Sequence, residues 1–444
     1  MRRSVYLIHP DRAIPHATRK TDLLSRRVAH RLVLLVCIGM LIACSTQQPT
    51  APVVPTLNPG GLIATSVASN QVNSQLESLG NFPRIDEVEF GVVEHLFYTD
   101  RERVLTLTEI AGFDWIRQQI HWKDIEASPG VYYWDEVDRI IADTSAHNIK
   151  LMISVVQAPD FYEPNHGIPA DPVPFGNFVE NMVQRYGGLI TAVEIWNEPN
   201  LAIENGGRID DTAIAHYAEM LIEAYKRIKA VRSFTYVIAA APSSTGVNDV
   251  NLAMDDTLFL SKLYAYKNGA VKNSFDAQGV HPGAAANPPD TLFPDKPGNP
   301  VGWNDHPTHY FRHVESVRQT MVDSGLAEKQ IWLTEYGWAT ENNTPGYEYG
   351  NVVSMDEQAK FIGDATQMVY KSYRDEVGRS WIGVMFLWNM NFAVLWGQQG
   401  NPIHEQASFG ILNPDWSPRP AFIALQGIHM RIKKEQGKWI EPTP

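Results

Sequence analysis

Cysteine is almost absent from this chain of 444 residues: there are two, Cys37 and Cys44. Both precede residue 45, so everything after them can build neither a disulfide nor a thiolate metal site. Positive charge is also short, with 37 Lys and Arg against 50 Asp and Glu and a formal net charge of −13. That balance disfavours nucleic acid and other polyanions as partners. Several chemical signatures are missing. There is no His-Glu-x-x-His and no His-x-His ending an apolar run, and the spacing of His95, His121 and His281 forms no metal motif. No Gly-x-Ser-x-Gly elbow offers a serine nucleophile. No glycine-rich loop follows an apolar run, which argues against a nucleotide-binding open sheet. No metal and no organic cofactor is expected.

The first 43 residues hold eight Lys and Arg and two acids, a net of +6, and end in the uncharged run LVLLVCIGMLIA at 32–43. A spanning helix needs roughly 20 apolar residues, so this run is too short. A basic flank, a short apolar core and small residues read as an export signal. LIAC resembles the lipobox of bacterial lipoproteins, which implies acylation of Cys44 and a membrane tether at the cell surface or in the periplasm. The alternatives are a plain signal peptide, with the protein secreted, or an uncleaved anchor, Cys44 being incidental in both; Arg26-Arg27 is a weak match to a twin-arginine signal. Taking the leader's +6 from −13 leaves −19 for the mature chain. Residues 44–80, rich in Pro, Thr, Ser, Gln and Asn, read as a flexible tether, and 81–444 as the folded domain.

From about residue 85 a short apolar run alternates with an amphipathic stretch. The runs are VEFGVVEHLF (88–97), FDWIRQQIHW (113–122), IKLMISVVQ (149–157), ITAVEIWNE (190–198), TYVIAAAP (235–242), FDAQGVHP (275–282), QIWLTEYG (330–337) and WIGVMFLWN (381–389). Between them, Ile214, Tyr217, Leu221, Ala224 and Ile228 recur at helical spacing, and DEVDRIIADTSAHN and MDEQAKFIGDATQMVYKSY open with acids. Strands alternating with helices pair in parallel. Eight such units predict an α/β fold, the closed (β/α)8 or TIM barrel. The long connections 283–307, 338–355 and 390–410 follow the sixth, seventh and eighth runs, on the face where barrel active sites lie.

Two acids end such runs: Glu198 in EIWNEPN and Glu335 in TEYGW. Facing carboxyls, one protonated and one ionised, are the equipment for cleaving a glycosidic bond. EIWNEPN on the fourth strand with TEYGW on the seventh resembles the retaining glycoside hydrolases of clan A, the 4/7 superfamily of (β/α)8 enzymes, with families 39 and 5 nearest in flavour. The resemblance spans about residues 85–430.

That resemblance implies Glu198 as general acid/base and Glu335 as nucleophile. It further implies Asn197 on the sugar 2-hydroxyl, Arg117 keeping the nucleophile ionised, His281 lining the cleft and Trp388 flooring the first subsite. The substrate class implied is a β-linked oligo- or polysaccharide. Two departures stand out. Relatives often carry His-x-Tyr after the sixth strand, where this chain has Gly283, so Tyr98 is a possible stand-in. The usual histidine of the third strand is missing, with Gln157 near its place. Glu194 shares strand register with Glu198 and reads as a buried, paired acid. Trp122, Trp338 and Trp396 could wall subsites or pack loops. A sugar-binding lipoprotein without catalysis and a transglycosylase with the same pair are the competing readings.

Overall fold

The computed structural model describes residues 84–295 and 300–438. The export signal, Cys44 and the 44–80 tether lie outside the described residues. Eight strands form the core: β1 (Glu89–Val93), β2 (Trp115–His121), β3 (Lys150–Val156), β4 (Ala192–Ile195), β5 (Tyr236–Ala239), β6 (Ala277–Val280), β7 (Gln330–Tyr336) and β8 (Ile382–Leu387). They close into a barrel in sequence order, with β8 returning to β1, and every neighbouring pair is parallel. The (β/α)8 architecture expected from the alternation is the one observed.

A major helix follows each strand: α1 (Arg101–Ala111), α2 (Asp135–Ala146), α3 (Val173–Tyr186), α4 (Asp211–Val231), α5 (Asp256–Ala265), α6 (His313–Asp323), α7 (Met355–Ser372) and α8 (Pro420–Glu435). Their starts follow local chemistry. Asp210 accepts from the Thr212 and Ala213 amides at the head of α4, and Ser354 and Glu357 form a reciprocal capping box on α7. The apolar stripe of α4 is buried as its spacing requires: Ile214, Tyr217, Leu221, Ala224 and Ile228 all pack inward. Each large side chain so buried stabilises the fold by about 1.5–3 kcal/mol.

Inside the barrel the packing is aromatic. Trp115, Trp332 and Phe386 fill it together with Val93, Met152, Ala192, Ile238, Ala277 and Val384. Trp115 and Trp332 meet edge to face with centroids 5.2 Å apart. Strand glycines make the room. A Cβ on Gly91 would sit 2.4 Å from the Phe386 ring, and one on Gly383 would sit 2.4 Å from the Trp332 indole.

Register at the β7–β8 seam is irregular, and the site depends on it. Met385 pairs with Leu333 and Leu387 with Tyr336, so two steps on β8 match three on β7. The slip is local, since from Ile382 to Met385 the mismatch runs the other way, and it changes which side chains after it face inward. Leu333 and Tyr336 both join the outer core against the helices. Glu335, which strict alternation would have placed on Leu333's outward face, instead reaches Arg117 of β2.

Candidate active site

Arg117 organises the top of the barrel. Its guanidinium is fully buried and its bonds run to three other strand ends. Nε donates to Glu194 Oε2 (2.8 Å), Nη1 to Glu335 Oε1 (2.7 Å), and Nη2 to Asn197 Oδ1 (2.9 Å) and Ser154 Oγ (3.3 Å). A buried cation is tolerable only when paired and hydrogen-bonded, and here two carboxylates and two neutral acceptors take four of its five N–H donors. Glu194 is therefore the buried paired acid expected from its register. Arg117 holds Asn197 by its oxygen, which leaves the Asn197 Nδ2 donor uncommitted among the described residues.

Glu198 reaches the cleft through a turn rather than through strand alternation. Trp196 (φ 78°) and Glu198 (φ 43°) both adopt left-handed backbone. For residues with side chains this costs about 1–3 kcal/mol each and persists only where the surroundings over-determine it. Here the Trp196 amide donates to Val155 O (3.1 Å), the Glu198 amide to Ala241 O (3.0 Å) and the Leu201 amide to Glu198 O (3.0 Å). The Trp196 indole adds a bond to Glu204 O at 3.0 Å.

His281, at the end of β6, joins the two acids. Its Nδ1 lies 3.0 Å from Glu198 Oε1 and its Nε2 lies 3.8 Å from Glu335 Oε1. Both Glu198 and His281 are buried, at 6% and 7% exposure, and Glu198 Oε2 has no hydrogen-bond partner. Burial works against a charged imidazole, but Glu335 and Glu198 outweigh it and raise His281 above its ordinary value. Burial pushes the Glu335 carboxyl up; His281 and Arg117 pull it back without cancelling the shift. Trp388 follows β8, half-buried, and packs edge to face on Phe392 with centroids 5.0 Å apart at the end of the aromatic barrel interior. Glu198, Glu335, Asn197, Arg117 and His281 thus form one connected cluster, with Trp388 beside the barrel's inner layer.

Other sequence expectations resolve differently. Tyr98 does not stand in for the missing tyrosine: it is 86% exposed. Gly283 has a steric cause, since a Cβ there would meet Thr308 O at 1.9 Å. Trp122 and Trp338 are fully buried packing rings. The first stacks on Tyr162, and the second stacks on Phe311 and donates to Asn287 O at 2.8 Å. Trp396 is half-buried and stacked on His404 with centroids 3.6 Å apart. Gln157 takes left-handed backbone (φ 56°) and accepts the Lys123 amide at 3.0 Å. Among the described residues, no group of three or more His, Cys, Asp or Glu side chains could hold a metal ion.

Two polar groups near the acids were not foreseen. Tyr347, in the connection between β7 and α7, is held above its ordinary value by burial, with Tyr349, Glu405, Glu198 and Glu335 adding to the effect. Glu204, on the short helix Ala202–Asn205, is pushed up to about 8, by burial first and then by Glu198 and Glu335. No local pattern marks either residue, because loops folding back onto the site bring them there.

Glu204 yields a stability prediction. With its carboxyl raised from 4.5 to about 8, the unfolded chain releases the proton as pH passes 4.5 while the folded protein keeps it to about 8. Folding is therefore penalised progressively across that window, and fully above it. Glu204→Gln should melt with the native protein near pH 4. Near pH 8 it should be more stable, on the order of 2 kcal/mol once cleft water is allowed for. Thermal melts at both pH values check this; an equal difference at both would refute the assignment.

No protein-family model and no curated protein sequence matches the chain. Solved structures share its fold. They include a family 39 glycoside hydrolase from the gut symbiont Bacteroides cellulosilyticus WH2, at 19% identity and TM-score 0.56, covering 80% of this chain and 66% of that one. The β-glycosidase BGL167 aligns at 15% identity and TM-score 0.53, covering 82% of this chain and 99% of its own. A glucosidase from Croceicoccus marinus aligns at 13% identity and TM-score 0.53, covering 78% and 68%. At such identities the likeness is one of fold.

Proposed function

We propose that this protein is a retaining glycoside hydrolase acting on β-linked oligo- or polysaccharides and, from its N-terminal sequence, an exported protein lipid-anchored at Cys44. The observation that carries the reading is the pair Glu198 and Glu335, brought from β4 and β7 to opposite nitrogens of one imidazole. Their surroundings differ in the charges each acid meets. Glu335 sits 2.7 Å from a buried guanidinium, which favours an ionised nucleophile. Glu198 has no guanidinium beside it; its Oε1 lies 3.0 Å from His281 Nδ1, and its Oε2 is uncommitted and can face a leaving oxygen. The neighbouring folds named as glycoside hydrolase, β-glycosidase and glucosidase support the same reaction class.

In the first step a Glu335 oxygen attacks the anomeric carbon while Glu198 gives its proton to the departing glycosidic oxygen, leaving a glycosyl ester on Glu335. In the second, Glu198 takes a proton from water, the resulting hydroxide attacks the same carbon, and the Glu335 carboxylate departs. Asn197 would hold the 2-hydroxyl through its uncommitted Nδ2, and Trp388 would stack on the sugar's C–H face.

The test follows the first-formed anomer by proton NMR during hydrolysis of a panel of aryl β-glycosides and β-linked oligosaccharides by the mature chain. The β-anomer should appear first and mutarotate later. An initial α-anomer would replace double displacement with inversion, and absence of hydrolysis across the panel would overturn the reading.

A further inference from the structure

The segment after β5, residues 241–244, belongs to neither strand that carries a catalytic acid. Even so, four hydrogen bonds tie it to both sides of the Glu198–His281 contact. On the Glu198 side, Ala241 O accepts the Glu198 amide at 3.0 Å. Asn200, two residues further on, clasps Ser243 at two points: its Nδ2 donates to Ser243 O (2.9 Å) and its Oδ1 accepts the Ser243 amide (2.7 Å). On the other side, Ser244 Oγ donates to His281 O at 2.7 Å. The carbonyl can only accept, so the hydroxyl proton points at His281.

Ser244 also lies beside a buried Asp–His contact. Asp256 Oδ2, in the first turn of α5, is a second and longer neighbour of Ser244 Oγ at 3.4 Å. His313, which opens α6, lies with Nε2 2.8 Å from that same Asp256 oxygen. Asp256 is 1% exposed and His313 6%. Neither has a hydrogen bond or ion pair to Glu198 or Glu335 among those the structure describes, so the pair has no direct part in the chemistry. Gly283 completes the packing: a Cβ there would clash with Thr308 O at 1.9 Å, so only glycine lets the chain after β6 pass this close.

We propose that Ser244 is a positioning residue that fixes His281 against Glu198 and thereby aims the general acid. The inference rests on the glycosidase reading above. It adds that the acid's alignment is set by a segment that follows β5 and carries no catalytic acid. A displacement of about 1 Å at a reacting group can cost on the order of 10²-fold in rate, and the 3.0 Å contact is anchored on both sides by residues 241–244.

Leaving groups separate this role from a general structural one. A 2,4-dinitrophenolate leaves without a proton, whereas the alkoxide of an alkyl glycoside or oligosaccharide needs one. Ser244→Ala should lower kcat about tenfold on an alkyl β-glycoside or β-linked disaccharide with KM within about twofold. On the 2,4-dinitrophenyl β-glycoside its rate of aryl release in the first turnover should stay within about twofold. Ser244→Thr, which restores the hydroxyl, should recover most of the loss. Should Ser244→Ala fail to fold, Ser244→Cys, a weaker donor of similar volume, reads the same split. Equal losses on both substrate classes, or none on either, overturn the positioning role. A wild type inert on both classes would overturn the glycosidase reading, and this inference with it.

Discussion

Glu335→Gln should abolish turnover, lowering kcat/KM on the order of 10^5-fold, the scale seen when a covalent nucleophile is removed. The amide keeps the shape of the carboxylate but cannot form the glycosyl ester. Fold loss should not account for the result. Arg117 would keep Glu194, Asn197 and Ser154 as partners after losing one charge-assisted bond at 2.7 Å. Circular dichroism and a thermal melt should confirm a folded variant. Azide would add a second readout. In Glu335→Ala, azide can occupy the vacated volume and attack the anomeric carbon directly, giving an α-glycosyl azide from a β-glycoside. A folded variant keeping more than about 1% of native activity would remove Glu335 from the nucleophile role.

Glu198→Ala should show a different signature because the residue acts twice. On substrates whose leaving oxygen needs a proton, the loss should be about 10²–10⁴-fold. On a 2,4-dinitrophenyl glycoside the first step should proceed, and the glycosyl ester on Glu335 should accumulate because no base activates water. A burst of dinitrophenolate followed by a slow phase, and a mass increase of one glycosyl unit on the protein, would report that state. Added azide needs no base, so it should speed the slow phase and give a β-glycosyl azide of retained configuration. The opposite azide products of the two variants distinguish nucleophile from acid/base without reference to any relative. A uniform loss across leaving groups would argue that Glu198 only shapes the cleft.

The roles proposed for the two acids depend on how their environments were assembled, and sequence reported parts of this unevenly. Arg117 is recognisable as a cation inside an apolar run, where it needs partners, and it has four. His281 stands at the end of its run and lies between the acids. Trp122 and Trp338 were ambiguous because an indole serves a core and a sugar-binding wall equally well. Burial decides for packing in both. Tyr98 looked available because it follows the first run, but its ring turns to solvent. Glu204 and Tyr347 carried no signal, since an acid on a short helix and a tyrosine in a long loop are ordinary residues until the chain folds back.

The sequence by itself determined the eight alternating runs and helices, and hence the barrel and the rim where its fourth and seventh runs end in acids. Those features are written in local periodicity, because a strand or helix face is selected by which residues two or four positions apart are apolar. Only the tertiary structure decided how the acids are aimed. Alternation alone would have turned Glu335 toward the helices with Leu333, and past the register slip between β7 and β8 it reaches Arg117 instead. Glu198 depends on left-handed backbone at Trp196 and at itself, held by bonds to the ends of β3 and β5. Register slips and strained turns are settled by hydrogen bonds between segments far apart in sequence, and no window of consecutive residues contains both partners.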